Sequence, residues 1–144
     1  MRSSADGKKP GLPIPIFGGL HGDIPLEPTA GALIADLIVD QRLTCVLDVS
    51  DFDTRQQMWG FLADLGTQLL RRNRSPLHIF LEEADEYLPQ RTNDKGNAPR
   101  CLGVWQRVVK RGRTPAGIGT TQITQRNAAL NKDTLYMAIS SSAM

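Results

Sequence analysis

Residues 77–87, Leu77-His78-Ile79-Phe80-Leu81-Glu82-Glu83-Ala84-Asp85-Glu86-Tyr87, decide the reading of this chain. The apolar run from Leu77 to Leu81 has the length and continuity of an interior strand, and it ends in two adjacent carboxylates. Carboxylates brought to the edge of a core lose solvation and need a cation or hydrogen bonds in return. In parallel α/β sheets that edge, at the carboxyl ends of the strands, is where ligands bind. Without a ligand, Glu83, Asp85 and Glu86 are equally suited to open a helix, where acidic side chains favour its dipole.

Working outward, residues 43–52 (LTCVLDVSDF) read as a second interior strand ending near Asp48. Asp53 or Thr54 can cap a helix reaching about Arg71, because Met58, Phe61, Leu62, Leu65 and Leu69 recur at helical spacing. After the Arg71–Pro76 turn and the strand at 77–83, residues 90–98 form a polar loop. A further helix runs from Pro99 to Arg111, with Cys101, Val104, Trp105 and Val108 on one face, and Gly112 ends it. Residues 116–124 are a third strand and Leu135–Ile139 a fourth. Upstream, Gly31–Val39 is an apolar helix with Leu33, Ile34, Leu37 and Ile38 on one face and Thr29 as its cap. The prolines around Ile14 and Ile16 suit an edge strand or an extended loop. Strands alternating with helices give an α/β class with a mostly parallel sheet. The chain divides into a Gly/Pro-rich segment, 1–30, and one domain, 31–144.

Composition narrows the function classes. Net charge is +2, from 17 basic and 15 acidic residues among 144, so any polyanion binding has to rest on local clusters. Two such clusters exist: Arg71, Arg72 and Arg74, and Arg107, Lys110, Arg111 and Arg113. Charged helix ends are also commonly just solvated. No apolar run nears the roughly 18 residues of a membrane span, and the first residues lack the apolar stretch of a secretory signal. The expected location is cytoplasmic. Cys45 and Cys101 have neither zinc-ligand nor CxxC spacing and read as small buried hydrophobes. His21 reads as a loop residue.

The strings LEEADEYLPQR (81–91) and KRGRTPAGIGTTQITQR (110–126) followed by NAALNKDTL, with VLDVSDFDTRQQMWGFLADLGTQLLRR (46–72) before them, resemble the HerA/FtsK branch of RecA-like P-loop motor ATPases. The resemblance covers roughly residues 11–140. It implies a three-layer RecA-like P-loop NTPase fold, here incomplete, and ATP hydrolysis coupled to DNA translocation or end processing. A hexameric homo-oligomer, double-stranded DNA and a nuclease partner are implied with it.

Carried over by position, Glu82 matches the magnesium-side acid of the Walker B motif, Glu83 the catalytic glutamate and Gln125 the phosphate sensor. Arg111 or Arg113 matches a basic residue near the γ-phosphate or a neighbouring subunit. The cofactors implied are ATP and Mg²⁺. The phosphate-binding GxxxxGK[ST] loop is not among these residues, since it lies upstream of the matched part in the family. The expectation is therefore a fragment inactive by itself, with a gap or a rearranged strand pairing where the loop's strand would stand. Two other readings stay open: a non-catalytic interaction module derived from such an ATPase, and a metal-dependent nuclease using Glu82, Glu83, Asp85 and Glu86.

Overall fold

The computed structural model describes residues 14–19, 22–50, 52–82, 96–123 and 136–141. In chain order these form β1 (Ile16–Phe17), α1 (Gly31–Gln41), β2 (Cys45–Asp48), α2 (Arg55–Arg72), β3 (Leu77–Glu82), α3 (Ala98–Arg111), β4 (Ile118–Ile123) and β5 (Tyr136–Ser141). The class is α/β: one open five-stranded sheet in the order β1-β2-β5-β3-β4. β1 pairs parallel with β2, and β3 with β4, while β5 runs antiparallel to both β2 and β3. The segment before residue 30 thus supplies an edge strand, where its prolines are tolerated.

Register sorts the side chains onto two unlike faces. Phe17, Cys45, Leu47, Met137, Ile139, Leu77, Ile79, Leu81 and Ile118 are all buried. They share one face because each is paired with, or lies two residues from, another of the set. The residues between them in β3, His78 and Phe80, are only half-buried, and Glu82 is exposed. β3, expected as an interior strand, is therefore fully buried on one face only. The described helices form a single layer over that face, α1 against α2 and α2 against α3, so among the described residues there are two layers where three are expected.

α2 follows its sequence signals closely. Thr54 accepts a hydrogen bond from the Gln57 N–H at 3.1 Å, and Met58, Phe61, Leu62, Leu65 and Leu69 are buried. α3 buries Cys101, Val104, Trp105 and Val108. The Trp105 indole N–H donates to the Leu62 carbonyl of α2 at 2.9 Å, so this large buried side chain has its polar atom satisfied. Gly112 does end α3, but in right-handed helical geometry rather than the left-handed kind. A side chain there would meet the Val108 carbonyl.

α1 departs from expectation. Its buried residues are Gly31, Ile34, Ala35 and Ile38, while Leu33 and Leu37 are 69% and 37% exposed. The small residues decide this. Gly31 lies so close to α2 that a Cβ would collide with the Phe61 carbonyl, so the stripe carrying Gly31 and Ala35 turns inward. Thr29 does not cap the helix; Ala30 holds the N-cap position and no side chain caps it.

Two polar clamps tie the elements. Arg72 donates to Asp36 at 2.8 Å and to Asp40 at 2.7 Å, pinning the end of α2 to α1. Hydrogen bonds from Gln68 and then Arg72 hold the Asp36 carboxyl below its ordinary 3.8. A lowered folded-state pKa means that this contribution is present above the ordinary carboxylate value and is lost as pH falls through the folded one. Arg72→Ala is expected to lower the urea midpoint at neutral pH by an amount that shrinks below pH 3.8 and in high salt.

The second clamp is Asn73, only 4% exposed. Its Nδ2 donates to the carbonyls of Ser75 and Ala116, both at 2.7 Å, joining the turns that lead into β3 and β4. Asn73→Ala orphans both carbonyls, one of them in a buried bond. A loss of about 2–3 kcal/mol is expected in urea unfolding; a change under about 0.5 kcal/mol would show that the clamp is dispensable.

Candidate functional site

The carboxyl ends of β1, β2, β3 and β4 lie along one edge of the sheet, since β2 and β3 both oppose β5 and therefore run in the same direction. Glu82 stands at the end of β3, exposed, and registers with Ile123 at the end of β4. Leu81 registers with Met137 of β5, which brings Glu82 into the row of Tyr136. Ile123 and Tyr136 thus flank Glu82 across the sheet. The chain continues into Glu83 from one strand end and into Thr124-Gln125 from its paired neighbour. Glu83, Gln125, Asp85, Glu86 and His21 themselves lie outside the described residues.

A second carboxylate shares that row. Asp48, at the end of β2, registers with Tyr136 from the other side. Its Cα is therefore two strand spacings from that of Glu82, roughly 10 Å. Unlike Glu82, Asp48 is 9% exposed. Its Oδ1 accepts from the Ser50 N–H at 3.0 Å and the Ser50 hydroxyl at 2.5 Å. Its Oδ2 has no hydrogen-bond partner among the described residues. It faces the turn at Gly18–Gly19, the continuation of β1, and a cavity of about 60 Å³ lined also by Pro25, Leu26 and Phe52.

The turn depends on its glycines. Both have positive φ, 80° and 72°. A Cβ on Gly18 would lie 2.5 Å from the Asp48 carbonyl oxygen, and one on Gly19 would fall on Asp48 Oδ2. The cavity has room for roughly two waters, which is the simplest way to satisfy a buried carboxylate oxygen.

This constellation is absent from the reading of the sequence, which takes Asp48 only as the end of an apolar run. Its signal is weak but present: two glycines closing one short strand, and an aspartate with a serine two residues on closing the next.

Arg111 and Arg113 are elsewhere. Both are exposed at the opposite edge, beyond α3 and before β4 begins. The six residues of β3 separate that edge from Glu82 by roughly 17 Å. Within one chain the structure does not bring these arginines and Glu82 together. Of the other basic residues, Arg72 is committed to Asp36 and Asp40, and Arg74 donates to the carbonyls of Leu70 and Asn73. Arg71, Arg107 and Lys110 are exposed.

Among the described residues, no group of three or more His, Cys, Asp and Glu side chains is placed to hold a metal ion. No described helix is long and apolar enough to cross a membrane. No protein-family model, curated protein or solved structure matches this chain.

Cys45 and Cys101 are free and buried, and burial pushes both thiols up to about 12 from 9.0. That leaves roughly a thousandfold less thiolate than an ordinary thiol has at the same pH. The native protein is expected to be inert to a disulfide reagent at pH 8 and to release both thiols promptly in denaturing urea. Rapid titration of either thiol in the folded protein would contradict this packing.

Proposed function

We propose that this chain is part of a HerA/FtsK-like, RecA-like ATPase, in which residues at the carboxyl edge of β3 and β4 act on a nucleotide triphosphate. The observation that carries the reading is the register of Glu82 with Ile123: two parallel strands end side by side and hand the chain on to Glu83 and to Gln125. Glu82 is exposed at that edge and fits water-mediated retention of a magnesium ion, which keeps several waters and needs only one or two carboxylates beside the phosphates. When bound, that ion would neutralise charge on the phosphates. Glu83 orients and deprotonates the attacking water, and Gln125 donates to the terminal phosphate.

The sheet face that no described helix covers supports the reading, because the sheet of an ATPase of this kind needs a further covering layer and a phosphate-binding loop beside Glu82. Since Arg111 and Arg113 stand at the far edge, either would serve a neighbouring subunit's nucleotide in a homo-oligomeric ring. Double-stranded DNA and a nuclease are the partners that go with this reading.

The test is ATP turnover by the chain fused behind a strand–loop–helix bearing GxxxxGK[ST]. Magnesium-dependent hydrolysis is expected, falling at least about 10²-fold in Glu83→Gln, as loss of a general base does, with ATP binding retained. A fusion that binds no ATP-magnesium in titration calorimetry would reject the ATPase in favour of a non-catalytic interaction module. Magnesium-dependent DNA cleavage lost in Glu83→Gln would instead favour a nuclease.

A further inference from the structure

At the edge opposite Glu82, the sheet face that no described helix covers carries a cleft of about 390 Å³, lined by Pro76, His78, Arg113, Gly117, Gly119 and Ser140 among others. It arises from register. His78 of β3 pairs with Ser140 of β5 on one side and with Gly119 of β4 on the other. The three sit in one row, on the face that no described helix covers.

Gly119 has no side chain to fill its place, and a Cβ there would lie only 2.8 Å from His78 Nδ1. The result is a notch beside the imidazole. The ring is fixed in it: Nε2 is 2.6 Å from the Thr121 hydroxyl, and the ring packs on Phe80 with centroids 4.7 Å apart. When Thr121 donates to Nε2, Nδ1 becomes the ring's donor, and it faces the notch.

The backbone of Arg113 is fixed where the residue lines the cleft. The Gly117 N–H donates to the Arg113 carbonyl at 2.9 Å, and the Gly117 carbonyl accepts from Leu77 N–H at 3.0 Å. Asn73 clamps the same turn through Ala116. Unlike Lys110 and Arg111, which lie within the last turn of α3 and complement its dipole, Arg113 lies beyond the helix. The lining offers a guanidinium, a hydroxyl and an imidazole, and no carboxylate. The acids of α1, Asp36 and Asp40, are occupied by Arg72.

Such a donor set suits a tetrahedral oxyanion. The volume is that of a small-molecule site and exceeds what one such anion fills; Pro76 gives the remainder an apolar wall, while Leu77 and Ile118 line it with backbone because their side chains are buried on the other face. We propose that this cleft binds a phosphate monoester, with Arg113 and Ser140 on the phosphate, His78 Nδ1 donating to it, and the ester group against Pro76. The site does not rest on the nucleotide reading of the opposite edge, although Arg113 is also one of the two arginines offered there to a neighbouring subunit.

The experiment is a titration of the full chain, at constant ionic strength, with ribose 5-phosphate, inorganic phosphate and ribose, following backbone amide resonances. Ribose 5-phosphate is expected to shift Gly117 and Gly119 saturably, inorganic phosphate to shift them more weakly, and ribose not at all. Arg113→Ala should weaken the ester's binding by about tenfold or more, as loss of a charged hydrogen-bond partner does, and Arg113→Lys should restore part of it. Arg107→Ala, exposed on α3, should bind as the parent does. Unsaturated shifts spread over all the basic residues, or undiminished binding by Arg113→Ala, overturn the site. Inorganic phosphate binding as tightly as the ester overturns the assignment of an ester.

Discussion

Burial of Leu77, Ile79 and Leu81 beneath α1–α3, with His78, Phe80 and Glu82 left on the other face, is the constraint from which the rest of the molecule follows. A strand cannot slip by one residue without exchanging the two sets. Slippage would carry His78 and Glu82 into a core whose centre is wholly apolar, at the cost of burying polar groups with no partner there. The register of β3 therefore fixes β4 and β5 on either side of it. With them it fixes which polar residues reach solvent at each edge.

Those edges differ in chemistry for a physical reason. In strand–helix–strand crossovers the helices run back against the strands, so α2 and α3 end where β3 and β4 begin. Basic residues gather at these helix ends, Arg71 and Arg72 in α2 and Lys110 and Arg111 in α3, complementing the partial negative charge there. The acids Asp48 and Glu82 stand at the other edge, where strands end. Arg72 shows that such a cluster need not be a ligand site: it spends its charge on Asp36 and Asp40, within the helix layer.

Much of this was legible in the residues themselves. The stripe of α2, its Thr54 cap, the buried positions of α3 and the strand ending at Glu82 all follow from local rules that tertiary structure leaves in place. What was not legible depends on neighbours. Leu33 and Leu37 are as apolar as Ile34 and Ile38, and only the close approach of Gly31 to α2 chooses between the two stripes. The antiparallel course of β5 is invisible because its own sequence is the same read against either partner direction. Asp48 gives little sign of its surroundings, since the turn that covers it comes from a strand some thirty residues earlier.

The separation of the two edges limits what one chain can do alone. At roughly 17 Å, the length of β3, Arg113 and Glu82 are about two Debye lengths apart at physiological ionic strength. Neither charge stabilises a ligand held by the other, so the triphosphate proposed at Glu82 would draw no help from the basic edge of the same molecule. Any cationic partner for it comes from residues near that edge or from a second chain that turns its own opposite edge toward it. The same distance leaves the anion proposed for the cleft around His78 and Arg113 separate from that triphosphate. Occupancy of one edge then changes the other only through the sheet between them, whose turns Asn73 holds rigid at the basic end.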